Sequence, residues 1–506
     1  MQGSRLKGVI AGIILVVLCF IIGAYAAESA VSSAAIIAAI VGVLVLILAG
    51  KRCWWLIFLL GPVVGLLPLP GPLSSIPGPM YMAFAVLAYW LLLWAMGHVK
   101  IKWRSFLLLD LLVLALAVYL VAVYIRHPVS IAFLGLDTDT MGGADYVYYA
   151  CAFVYYLTLS CIPMEKEELT KVLRWSVGIV LVSCFIGLGI YLARSGMRFS
   201  DLVEERIGAD RFGVYAMTAL CAKYSLLRIA LNPLLIGAAM MFTGCVLMCG
   251  SREALGVLFI TVFSVVIIKK EILSSVIIGA CALFGMYAMS AAGVIENAPY
   301  SVQRMVSVLP GIEISRAAKT DTEGTWEWRL QLWGVALDKR TGYINDYVFG
   351  DGYGQSKSAT QRRAIALLRG DYVYGQDLDE FAVNGVWHNG VITIIHRLGY
   401  VGLLLVSLML IVGSVYMFRV CFALRGSPLF FPIVFYVAGY AALIPELCLG
   451  AHGAKQFILQ FSSLALIKWA YCVLREEGKL IPIWQRKRYV PQMIREHGDA
   501  LGNHVS

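Results

Sequence analysis

Apolar runs of about 20 residues recur along the whole chain, and that is the length a helix needs to cross a hydrocarbon core of roughly 30 Å. The recurrence dictates the fold class, because inside lipid only a helix or a closed barrel satisfies every backbone polar group. No stretch shows the alternating pattern of a membrane barrel. Composition points the same way. Of 506 residues, 60% are hydrophobic and 14% charged, against about half and a quarter in a soluble domain. The chain is therefore expected to be an all-α polytopic membrane protein.

The runs place spans at 8–26, 31–50, 53–69, 80–98, 105–124, 145–163, 173–193, 212–228, 232–249, 253–268, 272–292, 390–418, 428–447 and 454–474, about fourteen helices in all. With the N-terminus inside and alternating crossings, Lys51/Arg52, Lys100–Arg104, Lys166–Arg174, Lys269/Lys270, Arg419–Arg425 and the basic tail all fall on the cytoplasmic side, as the positive-inside rule requires. The net charge of +10 thus belongs to topology and not to a nucleic-acid surface. Ala24-Tyr25-Ala26-Ala27 is similar to a signal-peptidase site, but the spans that follow favour an uncleaved first helix. The twelve cysteines lie in or beside apolar runs, which predicts plain burial and neither a disulfide framework nor a zinc site.

This map divides the chain into an N-terminal transmembrane bundle (1–292), an extracytoplasmic loop or cap (293–389) between the eleventh and twelfth spans, C-terminal transmembrane helices (390–474) and a basic cytoplasmic tail (475–506). A loop that long is usually functional or disordered. Its aromatic content, including Trp326, Trp328, Trp333, Tyr343, Tyr347 and Tyr353, argues for a folded cap. Residues 325–340 carry apolar side chains at helical spacing and predict an amphipathic helix.

Chemistry-bearing residues gather on the outer face of this map. His388 stands where the long loop meets the next helix, and Asn389 or a neighbour is placed to cap it. A helix N-terminus exposes unpaired N–H groups, attracts phosphate and disfavours an imidazolium. A neutral histidine there can act as a base. Arg211 and Arg252 each precede a helix running inward, and Arg206 lies on the same outer segment as Arg211. A cation at a helix N-terminus is misplaced unless an anion sits between the two, and a guanidinium fork suits phosphate. Lipid headgroups or a nearby carboxylate such as Glu253 are the alternative partners. Gly350-Asp351-Gly352-Tyr353-Gly354 reads as a tight loop, since no strand–turn–helix context makes it a nucleotide fingerprint. Glu446, His452 and Lys455 are expected to pair with one another at the outer rim. His396 and Arg397 predict that residues 388–397 lie in the interface or above it and that the span begins near Leu398.

His388-Asn389 with Gly399 and Gly402-Leu403 resembles the HN-x(9)-G-x(2)-GL signature of the O-antigen ligase and polymerase superfamily. Trp328-Arg329-x(3)-Trp333 followed by Gly350-x-Gly352-x-Gly354 is similar to that family's arginine–tryptophan and glycine-rich loop pattern. Ser251-Arg252 is similar to its SRG turn, with Glu253 in place of the glycine. Asp210-Arg211-Phe212-Gly213 resembles its arginine-containing segment, without a clear Asn-Pro-Asn after it. The resemblance covers roughly residues 205–420.

It implies a bacterial inner-membrane glycosyltransferase. Such an enzyme moves a glycan from an undecaprenyl-diphosphate carrier to an acceptor glycan at the outer leaflet, with no cofactor and no metal. Arg211, Arg252 and Arg206 would bind the diphosphate and His388 would take the acceptor proton. Arg329, Trp333 and Asn389 would contact substrate under the closed loop. The implied partners are the carrier-linked glycan, the acceptor glycan, membrane lipids and a chain-length regulator, with no nucleic acid. A polymerase for an O-antigen, capsule or exopolysaccharide and a ligase acting on lipid A–core share these motifs, and a small-solute transporter is the reading from another class.

Overall fold

The computed structural model describes residues 42–64, 78–101, 103–130, 140–141, 143–195, 210–248, 252–307, 309–356, 387–449 and 454–480. Among these residues the fold is helical, apart from a two-residue antiparallel pairing of Thr140–Met141 with Gln355–Ser356. Five helical stretches are long and apolar enough to cross a membrane: Leu108–Arg126, Lys166–Gly189, Ile272–Ala291, Gly390–Ala423 and Phe430–Cys448. The described residues are those of a helical protein with several helices of membrane-crossing length and composition.

The number of such helices falls short of fourteen for identifiable reasons. The first expected span and most of the second lie outside the described residues. The third breaks into Trp55–Leu59 and Gly61–Val64. The run at 212–228 yields Asp210–Lys223, of 14 residues, which is roughly 21 Å at 1.5 Å per residue and too short for the core. The chain then breaks, and Ser225 caps a new short helix, Leu226–Leu231, by accepting a hydrogen bond from the Arg228 amide. Pro233–Met248 is also short, and Arg252–Lys269, Ala144–Cys161 and Ala454–Glu476 are helices outside the long apolar set. The Phe430–Cys448 stretch is interrupted by a 3-10 turn at Ala438–Ala442.

One large core joins the helices Gly78–Ala95, Leu108–Arg126, Ala144–Cys161, Gly390–Ala423 and Ala454–Glu476 with the Phe430–Val437 segment. Trp54, Tyr149, Tyr156, Tyr440, Tyr471, Phe461 and Trp469 are its largest buried side chains. Outward-facing Leu111, Leu114, Val118, Val121 and Ile125 on Leu108–Arg126 remain exposed, the surface that lipid covers in such a protein.

Contacts tie the basic loops together at one end of the bundle. Arg52 pairs with Glu168 at 2.9 Å and Lys166 with Glu477 at 2.6 Å. Arg174 donates to the Pro428 carbonyl at 2.9 Å. Lys269 donates to the Cys221 and Tyr224 carbonyls and Arg425 to that of Ile268, so cations terminate two helices where carbonyls would otherwise lack partners. The Arg104 guanidinium lies over Trp469. Beside it is a buried ion pair, Asp110 with Lys468, to which the Tyr156 hydroxyl donates at 2.9 Å and the Leu107 amide at 2.7 Å. Sequence reading missed this pair, since its members are 358 residues apart.

Candidate functional site

The opposite end of the bundle holds His388. The helix Gly390–Ala423 starts two residues later, and Asn389 is its N-cap: the side-chain oxygen accepts from the Val391 amide at 2.9 Å and the Ile392 amide at 3.2 Å. The Asn389 amide nitrogen donates in turn to the Cys448 carbonyl at 3.0 Å. On the other side Trp387 is fully buried and each of its polar groups has a partner. Its amide donates to Thr393 Oγ1 at 3.2 Å, its indole N–H to His396 Nδ1 at 3.0 Å, and its carbonyl accepts from Trp333 Nε1 at 3.0 Å. Between these two anchors His388 has a φ of +48°, a left-handed conformation that costs a non-glycine residue about 1–2 kcal/mol. Its imidazole packs edge to face against Trp328, ring centroids 5.6 Å apart.

Trp328 and Trp333 come from the helix Arg316–Leu337 in the long loop, which Ser315 caps. The amphipathic helix expected over 325–340 therefore starts earlier and stops at Leu337. Its apolar face, Leu332 and Ala336, forms a small core with Ile344, Tyr347, Trp387, Ile392 and Ile395. The folded part of the loop is thus seated on the first turns of the Gly390–Ala423 helix.

That helix is kinked at Gly399, whose φ of 64° and ψ of −173° interrupt the helical geometry in a region open in practice only to glycine. Past it about 25 residues remain, roughly 37 Å of helix, enough to cross the hydrocarbon core. The expected start of the span near Leu398 coincides with this kink. The 347–354 loop fills the kink with main chain against main chain. The Tyr400 amide donates to the Tyr347 carbonyl at 2.8 Å and Val401 to Val348 at 3.1 Å. In return Asp351 donates to the His396 carbonyl at 2.8 Å and Gly352 to that of Arg397 at 3.0 Å. A Cβ on Gly350 would stand 2.5 Å from the Arg397 carbonyl oxygen, and one on Gly399 would stand 2.3 Å from that of Val348. The glycines of the loop and of the helix are therefore one docking joint.

Side chains reinforce the joint. The Tyr119 hydroxyl reaches the Leu398 carbonyl at 2.6 Å and the Phe349 carbonyl at 2.9 Å. The buried Arg397 donates to the Gly352 and Gly354 carbonyls at 3.1 and 3.3 Å. Asp346 accepts from the Val348 and Phe349 amides and pairs with Arg126. The Phe349 amide first, and then Arg126, hold its carboxyl below the usual carboxylate range.

Arg211 is exposed in the first turn of Asp210–Lys223, and Arg252 begins the helix Arg252–Lys269. These two helix starts adjoin: Val214, Val246, Ala254 and Leu258 form one apolar cluster, and Gly213 lies so close to Phe242 that a Cβ would meet its carbonyl at 2.6 Å. Arg252–Lys269 packs on Leu443–Leu449, where Glu446 interacts electrostatically with Glu253. Leu443–Leu449 also carries Cys448, which receives the Asn389 hydrogen bond. One short helix therefore bridges the entry to the His388 segment and the start of the Arg252 helix. Arg329 is half-buried on the loop helix. Arg206 and His452 lie outside the described residues, as does the side chain of Lys455, so the expected Glu446–His452–Lys455 grouping lies outside them too.

Of the residues singled out in the sequence, Asn389 caps the helix as expected, and Trp333 also holds the backbone before His388 through its indole N–H. Sequence reading treated His396 only as a marker of depth, and it left Asp351 inside a glycine-rich turn. No group of three or more metal-binding side chains occurs among the described residues. No protein-family model matches the chain, and no curated protein matches it.

Proposed function

We propose that this protein transfers a glycan from a polyprenyl-diphosphate carrier to a sugar hydroxyl, with His388 as the proton acceptor. The observation that carries the reading is His388 itself, a histidine held at φ +48° between the fully hydrogen-bonded Trp387 and the capping Asn389. Strain of this kind persists only where the surroundings over-determine it, and it concentrates at functional sites. The histidine stands under a docked aromatic loop at the end of the bundle opposite the basic loops. By the positive-inside rule that end is extracytoplasmic.

In the proposed step the acceptor hydroxyl oxygen attacks the anomeric carbon of the donor. The bond from that carbon to the diphosphate oxygen breaks, and its electron pair leaves with the diphosphate. The acceptor proton passes to His388. Arg211 and Arg252, at adjoining helix starts, supply the cations and backbone N–H groups that stabilise charge developing on the leaving group. The carrier's tail stays in the bilayer. Polymerisation and ligation use this same step. The Asp110–Lys468 pair gives transport no support, because it lies among the basic loops with its groups satisfied, whereas transporters place such groups at the midplane beside broken helices.

Deleting the gene and restoring it as wild type, His388→Ala or Arg252→Ala tests the reading. Wild type is expected to restore the surface glycan and the two variants to leave carrier-linked or single-repeat material. Full restoration by both variants would discard the mechanism. Long carrier-linked chains in the deletion strain indicate a ligase, and single repeats on the final acceptor a polymerase.

A further inference from the structure

We propose that His396 is a positioning residue for His388, acting through Trp387. The proposal rests on the His388-centred reading of the site. An indole N–H can only donate, so the 3.0 Å contact from Trp387 Nε1 requires His396 Nδ1 to be unprotonated. The ring proton is then on Nε2, which faces Asp351 Oδ2 at 3.6 Å. Asp351 is itself held, accepting the Asn345 and Asp346 amides at 2.9 Å each, and its own amide is tied to the His396 carbonyl.

The Asp351 amide on the His396 carbonyl and the Trp387 indole on the His396 ring therefore link the docked loop to the residue immediately before His388. An imidazole with its proton on Nδ1 would point one N–H at another. A side chain without an acceptor would release the indole and with it the backbone that keeps His388 against Trp328. The 347–354 loop thereby helps to assemble the site: undocking releases the backbone turn that carries the His396 ring.

The test measures release of polyprenyl diphosphate by purified protein in detergent. The probe is lipid-linked glycan extracted from membranes of a strain lacking the chain. His396→Leu is expected to lower kcat roughly 10- to 100-fold, as misplacement of a reacting group does, with KM within about two-fold of wild type. Trp387→Phe should do the same, and the double variant should be no worse than either single one, since both cut one link. His396→Asn, whose amide oxygen can accept the indole N–H in place of Nδ1, should recover most of the rate. Wild-type kcat in His396→Leu, no recovery in His396→Asn, or multiplicative losses in the double variant would overturn the positioning role. Should His396→Leu not fold, Trp387→Phe against His396→Asn carries the same comparison. Full activity of His388→Ala would instead remove the reading beneath it, and loss in His388→Ala with full activity in His396→Leu would remove the positioning role alone.

Discussion

Gly399→Ala probes the joint between loop and membrane helix. Alanine must adopt a φ and ψ that cost about 1–3 kcal/mol, and its Cβ would sit 2.3 Å from the Val348 carbonyl oxygen and 2.5 Å from the Phe349 nitrogen. Both neighbours are backbone, so relief requires the loop to retreat by about 1 Å to reach ordinary contact. That retreat weakens the Tyr400–Tyr347 and Val401–Val348 hydrogen bonds, each worth about 0.5–1.5 kcal/mol net. Together these terms shift docking by about 2–6 kcal/mol. Gly426→Ala is the control, because Gly426 has a φ of +76° and open space around it and pays only the left-handed term of about 1–2 kcal/mol. Limited proteolysis of the 338–356 region in detergent reads the docked fraction. Gly399→Ala should be cut roughly tenfold or more faster than Gly426→Ala at equal global unfolding. Equal cleavage of the two would refute the joint.

Lys468→Met leaves the buried Asp110 carboxylate uncompensated and should cost about 3–5 kcal/mol, read as the thermal midpoint in detergent. Asp110→Asn added to it should recover most of that loss, and an additive second loss would contradict the pairing. Acid should loosen the loop through Asp346, whose carboxyl is held below its usual range. The sign follows: its stabilisation is fully present above the unfolded carboxylate value of about 3.9 and is lost as pH falls through that and the lowered folded value. Protease sensitivity of the loop should rise over that window, and Asp346→Asn should flatten the profile.

The long apolar runs made the helical membrane class legible, because the length of a span is set by lipid and not by partners. The basic loops were legible as a group, and contacts gather them at one end of the bundle. Asn389 was readable as a cap because capping depends on one residue type at one position. The count of spans was not, since Lys223 and Ser225 end a helix after 14 residues that apolar composition alone would carry on. The kink at Gly399 left no periodic trace. Its meaning depends on Val348 and Phe349, about fifty residues away in sequence; Asp351 and His396 are similarly far apart, and Tyr119 and Leu398 are 279 residues apart. His388 drew notice as a histidine at a helix entry, while its constrained backbone became visible only with Trp387, Trp333 and Cys448 in place around it.

The account's centre is tested by giving purified protein a polyprenyl-diphosphate-linked oligosaccharide and an acceptor glycan and measuring free polyprenyl diphosphate. Wild type should release it together with lengthened or transferred glycan, and His388→Ala, folded to the same thermal midpoint, should fall at least about a hundredfold, in the range for loss of a general base. Undiminished release by His388→Ala, or none by the wild type, would contradict it.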